Sequence, residues 1–198
     1  MEIDRMINHL TEMLQDRGDD VSEFVEHADA VVRPRYYSEL IILDTDKTTI
    51  FFALKKELVK ELTKEFKDYE DADDFIGAYK RKNYILVVGD APSSPTMNTF
   101  HARDKQLSVQ GGMFQVYLKA ELMYNPSKHE LVPKHEKLTP EETEALKEQY
   151  QIKSKTLLPH IHRTDVMARW LGLRHGDIVR ITRHNDTSGE YYFYRYCI

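Results

Sequence analysis

Tyr84-Ile85-Leu86-Val87-Val88 is an unbroken run of five apolar residues, closed by Gly89 and Pro92. A run so short, rich in β-branched and aromatic side chains, suits a strand buried on both faces. Such a strand needs helices above and below it, so this segment alone points to a layered α/β arrangement. No apolar run in the chain is much longer than these five residues. A bilayer span takes roughly 20, so no membrane partner is expected. Met1-Glu2-Ile3-Asp4 carries acids where a secretory leader would be basic, so no removable leader is expected either.

The flanking segments repeat the α/β pattern. Ile3, Met6, Ile7, Leu10, Met13 and Leu14 form one stripe at helical spacing, which ends at Gly18-Asp19-Asp20. A short helix is expected over 22–30, then extended backbone at Arg33-Pro34-Arg35. Runs 39–43 and 49–54 predict a hairpin with a five-residue loop, Asp44 to Thr48. Residues 55–67 predict an amphipathic helix and 71–82 a weaker one. With Pro92 and Pro95 among serines, 89–96 reads as a loop; 97–110 is ambiguous; 113–118 alternates as a strand.

Composition shifts after the Asn125-Pro126-Ser127-Lys128 turn, and the boundary is expected near 125–138. Thr139-Pro140-Glu141-Glu142 is a helix start with a capping box. Leu157-Leu158-Pro159 is extended, and Thr164 or Asp165 caps a short helix over 166–171 that stops at Gly172. Runs 177–183 and 191–196 alternate at period two and predict a terminal hairpin around 184–190. The expected fold class is an α/β N-terminal domain over 1–125 plus a small α+β C-terminal domain over 126–198.

Charge is uneven between the two. Residues 151–198 hold eight Lys and Arg against four Asp and Glu, a net of +4, which leaves −9 for the rest of a chain whose total is −5. A basic end suggests an anionic partner, nucleic acid or an acidic protein surface. Tyr191, Tyr192, Phe193, Tyr194 and Tyr196 crowd the terminal hairpin of a domain too small to hide every ring. That composition favours a docking module over an enzyme.

Catalytic chemistry finds little support. The single cysteine, Cys197, excludes an internal disulfide, fits a reducing compartment and excludes a Cys-based zinc site. Six of nine histidines follow residue 126, but the nearest pair, His160 and His162, has only Asp165 close by and reads as polar surface rather than a metal site. Glu39, Asp44, Asp46 and Lys47 are the residue types of a metal-dependent nuclease, yet three of them fall where a hairpin turn favours Asp. Gly111-Gly112 precedes a strand and so lacks the context of a phosphate loop. No catalytic residue, metal, cofactor or small-molecule substrate is expected.

The C-terminal motifs, in order, are His129-Glu130-Leu131-Val132-Pro133-Lys134-His135, Leu158-Pro159-His160-Ile161, Asp165-Val166-Met167-Ala168-Arg169-Trp170-Leu171-Gly172-Leu173, Gly176-Asp177-Ile178-Val179-Arg180-Ile181-Thr182-Arg183, Asp186-Thr187-Ser188-Gly189 and Tyr194-Arg195-Tyr196. In this order and spacing they resemble the assembly domain of the fifth subunit of eukaryotic RNA polymerases, a domain that archaea carry alone as a short polymerase subunit. Less specifically, Asp16-Arg17-Gly18, the hairpin over 39–54 and the 84–88 run leading to a Pro/Ser loop resemble the jaw domain of the eukaryotic form. Val166 and His184 stand where that family usually has proline, a divergence that fits a copy encoded by a large DNA virus as well as a host subunit.

The resemblance implies a non-catalytic subunit of a DNA-directed RNA polymerase. It would dock on the largest subunit through Leu158, Pro159, Ile161, Asp165, Arg169, Trp170, Arg183 and Arg195. Trp170 and Ile161 would supply apolar area, the arginines would pair with partner carboxylates, and Asp165 would cap its helix. A jaw loop at Pro92, Ser93, Ser94 and Pro95 would lie near downstream double-stranded DNA and bind it without reading sequence. The implied location is the nucleus for a host-encoded chain, and the virion or a cytoplasmic viral factory for a virus-encoded one. The competing readings are a free-standing nuclease and a nucleic-acid-binding adaptor.

Overall fold

β2 (Thr48–Ala53) and β3 (Asn83–Val88) run parallel at the centre of a four-stranded sheet, register-paired from Thr48–Asn83 to Ala53–Val88. β1 (Ile41–Asp44) lies antiparallel outside β2, and β4 (Met113–Leu118) parallel outside β3. Every residue of β2 and all of β3 after Asn83 are buried, as a strand covered on both faces requires. The computed structural model describes residues 2–32, 38–185 and 189–198, with the backbone alone at 30 and 31. Two expectations fall outside it, the extended Arg33-Pro34-Arg35 and the Asp186-Thr187-Ser188 turn.

The chain divides into two compact units, Met1–Tyr124 and Asn125–Ile198. In the first, α3 (Lys56–Asp68), α4 (Ala72–Tyr79) and α5 (Ser94–Val109) cover one sheet face. There Phe51, Phe66, Phe75, Tyr84, Phe100 and Phe114 form one aromatic core with edge-on and stacked rings 4.8–6.4 Å apart. α1 (Glu2–Asp16) serves the opposite face with buried Met6, Ile7, Leu10, Met13 and Leu14. Arg17, just past its end, donates to Gln115 Oε1 (2.7 Å) and Tyr117 Oη (3.2 Å) on the β4 side that faces away from Phe114. α2 (Ser22–His27) runs on through a π-helical turn, Ala28–Val32.

Two local readings need correction. Residues 94–96 belong to α5, not to a loop, and 97–110 is the rest of that helix up to Val109. Pro95 sits in its first turn, where backbone N–H groups have no helical partner and proline loses nothing. The helix expected over 71–82 stops at Tyr79, because Lys80 turns left-handed (φ 59°) as it closes onto Ile76 O. Leu122 and Met123 lie in a 3-10 turn, Lys119–Met123, that buries Leu122.

The second unit is a four-stranded sheet in the order β5-β7-β8-β6. β7 (Ile178–Asn185) and β8 (Gly189–Cys197) are antiparallel, β5 (Lys134–Lys137) pairs antiparallel with β7, and β6 (His160–Ile161) pairs parallel with the end of β8. The hairpin strands reach closer to the turn than 183 and 191, up to Asn185 and Gly189. β5 went unread in the sequence because Lys134-His135-Glu136-Lys137 has no apolar alternation at all. On one sheet face Ile178 and Tyr196 pack with Leu138, Leu146, Leu158 and Tyr194; Leu146 comes from α6 (Pro140–Gln149), which starts on the expected Thr139–Glu142 capping box. The other face carries buried Val179, Ile181, Cys197 and Ile161. α7 (Val166–Trp170) begins at Asp165, whose carboxylate accepts from Met167 N (2.9 Å) and Ala168 N (3.4 Å).

No helix among the described residues is long and apolar enough to cross a membrane.

Candidate docking surface and candidate nucleic-acid loop

At the carboxyl ends of β2 and β3 a cavity of about 240 Å³ opens between residues 54–60 and 89–96. Lys55, Lys56 and Lys60 line one side, and Asp90, Pro92, Ser93 and Thr96 the other. Crevices beyond the carboxyl ends of parallel strands are where open α/β sheets bind ligands. Pro92 and Ser93 sit in the loop, while Ser94 and Pro95 form the first turn of α5, so the four residues expected to approach DNA are split between loop and helix. Ser93 Oγ meets Thr96 Oγ1 at 3.0 Å, and Lys56 pairs with Asp90 at 3.7 Å.

Gly89 makes this corner possible, since a Cβ there would stand 2.4 Å from Leu54 O. Backbone cannot yield as a flexible side chain does, so Gly89→Ala should destabilise the N-terminal unit by about 1–3 kcal/mol, read as a lower thermal midpoint in circular dichroism.

The nuclease candidates are engaged structurally. Asp46 Oδ1 accepts from Asp20 N (2.8 Å) and Asp44 Oδ1 from Thr49 Oγ1 (2.5 Å). Lys47 Nζ donates to Gly18 O and lies 3.8 Å from Asp46. Beside them the buried Asp19 carboxylate accepts from Thr45 Oγ1 (2.9 Å) and Thr48 Oγ1 (2.6 Å). These bonds tie the β1–β2 turn to the end of α1. Among the described residues no three His, Cys, Asp or Glu side chains gather to hold a metal. His160 lies against the Tyr196 ring (6.1 Å) and His162 falls beyond β6.

The C-terminal unit distributes the expected docking residues unevenly. Trp170 is 3% exposed and Ile161 5%, so both side chains are buried within the chain. Leu158 is half-buried against the core and Pro159 is exposed, its carbonyl accepting from Tyr196 N at 2.8 Å. Arg169 is half-buried on α7. Arg183 and Arg195 lie on one sheet face, their guanidinium carbons 5.3 and 5.6 Å from the Phe193 ring centre. Among the described residues neither pairs with a carboxylate. Arg195 Nη1 donates to His160 O (3.1 Å), while its buried Nε has no partner.

Opposite them, Arg180 is held by Glu136 (3.2 Å) and Glu142 (3.8 Å) and covers the Tyr192 ring. Lys134 first, then Arg180, hold the Glu136 carboxyl below its usual range. Tyr191 and Tyr192 remain 40% and 52% exposed. The loop and β5 residues 130–136 and the outer hairpin enclose a cleft of about 820 Å³, which the sequence did not announce because β5 is invisible in it.

Residues 124–197 match the family described as RNA polymerase Rpb5, C-terminal domain. The C-terminal unit belongs to that family. Relatives of the Rpb5 type include the DNA-directed RNA polymerases I, II, and III subunit RPABC1 of Caenorhabditis briggsae and of Caenorhabditis elegans, each 45% identical over 83 residues, or 42% of this chain and 39% of the relative. The subunit rpabc1 of Dictyostelium discoideum is 44% identical over 80 residues, 40% of each chain. The chain thus spans about 40% of the length of the curated relatives it matches.

In the Rpb5 C-terminal domain Cys197 is fully buried, and burial pushes its thiol up to about 11. A thiol pKa raised on folding adds stability that is complete below the unfolded value of about 8.5 and is lost as pH rises towards 11. At pH 8 the native thiol should therefore be inert to an aromatic disulfide reagent and react only on unfolding; stoichiometric labelling of the native chain within minutes would contradict this burial.

Proposed function

We propose that this chain is a non-catalytic subunit of a multisubunit DNA-directed RNA polymerase. Its C-terminal unit docks on the largest subunit, and its N-terminal unit lies beside downstream duplex DNA. The observation that carries the reading is 45% identity over 83 residues with subunits named for RNA polymerases I, II, and III. The surface chemistry agrees with it. Exposed Tyr191 and Tyr192, with Arg183 and Arg195 that pair with no carboxylate among the described residues, suit a protein interface, whose cores favour tyrosine and arginine. Lys55, Lys56 and Lys60 beside Ser93 suit phosphate contact without base readout. For a host-encoded chain the working location is the nucleus.

Native purification of the tagged chain from its own cells, followed by mass spectrometry, tests this. The two largest polymerase subunits should co-purify stoichiometrically. A monodisperse, unaccompanied chain overturns the reading, and Mg²⁺-dependent cleavage of DNA abolished by Asp44→Ala with Asp46→Ala would replace it with the nuclease.

A further inference from the structure

β8 has one satisfied edge and one open edge. Leu138 N donates to Ile178 O (2.9 Å), so the even-numbered residues of β7 turn their backbone groups towards β5 and the odd-numbered ones towards β8. Val179, Ile181, Arg183 and Asn185 therefore bond Arg195, Phe193, Tyr191 and Gly189. On the far edge, Tyr196 N donates to Pro159 O and Ile198 N to Ile161 O. Backbone direction alternates along a strand, so Glu190, Tyr192 and Tyr194 face that same side. β6 covers only Tyr196 and Cys197, and among the described residues no backbone bond reaches Glu190, Tyr192 or Tyr194 on this side.

An edge this long is normally blunted by lysine, proline, a bulge or a covering segment. Here it is flanked by exposed aromatic rings instead. Above it Arg183 leans from β7 across Phe193, and Arg195 stands beside the same ring, both without a carboxylate partner among the described residues. On the other face Arg180 is already neutralised by Glu136 and Glu142. Of these three arginines, the two without a carboxylate partner among the described residues thus share one face beside the open edge.

We propose that an extended, acidic segment of the partner adds to β8 as a further sheet strand. It would continue the line of β6, with its backbone bonded to Glu190, Tyr192 and Tyr194 and alternate carboxylates beneath Arg183 and Arg195. Strand addition draws affinity from main-chain bonds and specificity from alternate side chains, and paired guanidiniums suit carboxylates. A second copy of this chain is the poorer occupant, because it brings the same two arginines to the same face. The inference rests on the polymerase reading for the source of the segment.

The test has two arms, both on the full chain. In the first, hydrogen exchange is compared between the free and polymerase-assembled chain. The amides of Glu190, Tyr192 and Tyr194 should slow at least tenfold, and those of Tyr191, Phe193 and Arg195 should not change. In the second, a synthetic peptide of alternating glutamate and valine should bind and slow the same three amides. Tyr192→Pro should weaken it at least tenfold, as should N-methylation of alternate peptide residues. Of the backbone donors, proline at 192 removes only an outward N–H, and continued inertness of Cys197 certifies the variant's fold. Co-purification without slowing at these amides overturns strand addition and leaves the polymerase reading standing. Peptide binding at the edge without co-purification overturns the polymerase as source and keeps the edge. Undiminished peptide binding to Tyr192→Pro, or a dimer of the free chain that protects these amides, overturns the proposal.

Discussion

Arg103→Met is expected to destabilise the N-terminal unit by about 3–5 kcal/mol, moving its urea midpoint down by roughly 2 M for a slope near 2 kcal/mol/M. Arg103 projects from α5 and is 6% exposed. Its guanidinium donates to Phe66 O (2.5 Å), Tyr69 O (2.8 Å) and Asp71 O (2.8 Å), and its carbon lies 4.8 Å from the Phe75 ring centre. Phe66 is in the last turn of α3, where helical carbonyls lack internal partners. One planar fork thus closes the end of α3 and the approach to α4. Methionine fills much of the volume but leaves three carbonyls without their donor. Lysine keeps the charge but not the fork, so Arg103→Lys should recover less than half of the loss. Far-UV circular dichroism through a urea titration decides it; a midpoint within 0.3 M of wild type, roughly 0.6 kcal/mol at that slope, would refute the role given to Arg103.

Trp170→Ala is the second large effect, about 3–5 kcal/mol on the C-terminal unit. A unit of this size has roughly 4–11 kcal/mol in hand at the usual stability per residue, so most of it would be lost. Trp170 closes α7 beside buried Met167 and Ala168 and is itself buried. The loss should appear as rapid labelling of Cys197 at pH 8 and as reduced co-purification with polymerase, both through unfolding. Arg183→Ser separates the two consequences. It removes a surface guanidinium, so Cys197 should stay inert while co-purification falls. If Trp170→Ala weakened assembly with Cys197 still protected, Trp170 would belong to the interface after all.

The two arginines show what could and could not be read from residue order. Arg183 and Arg195 were nameable from motif spacing and from the preference of a basic, aromatic hairpin for arginine. Their meeting over Phe193 was not, because it depends on the register of β7 against β8 and on Arg183 reaching across a strand. Trp170 was equally conspicuous, but its burial was not legible. A large ring in a small domain can face inward or outward, and only the packing around α7 chooses. Arg103 gave no signal, since a lone arginine in an otherwise polar helix looks solvated until three carbonyls from other segments converge on it.

Local chemistry was enough for the elements whose cause lies within a few residues. Continuous burial marked β3, the capping box began α6, Asp165 capped α7, and period-two alternation marked the terminal hairpin. The order of motifs likewise sufficed to place residues 124–197 in the Rpb5 C-terminal domain family. Tertiary structure decided what depends on partners distant in sequence. It paired the all-polar β5 with β7, drew Pro95 into α5, buried Trp170 and Ile161, and left the outer edge of β8 from Glu190 to Tyr194 without a backbone partner among the described residues. Caps and strand periods are set by bonds between near neighbours, whereas burial and edge pairing are set by which remote segments arrive alongside, and that is settled only when the whole chain has folded.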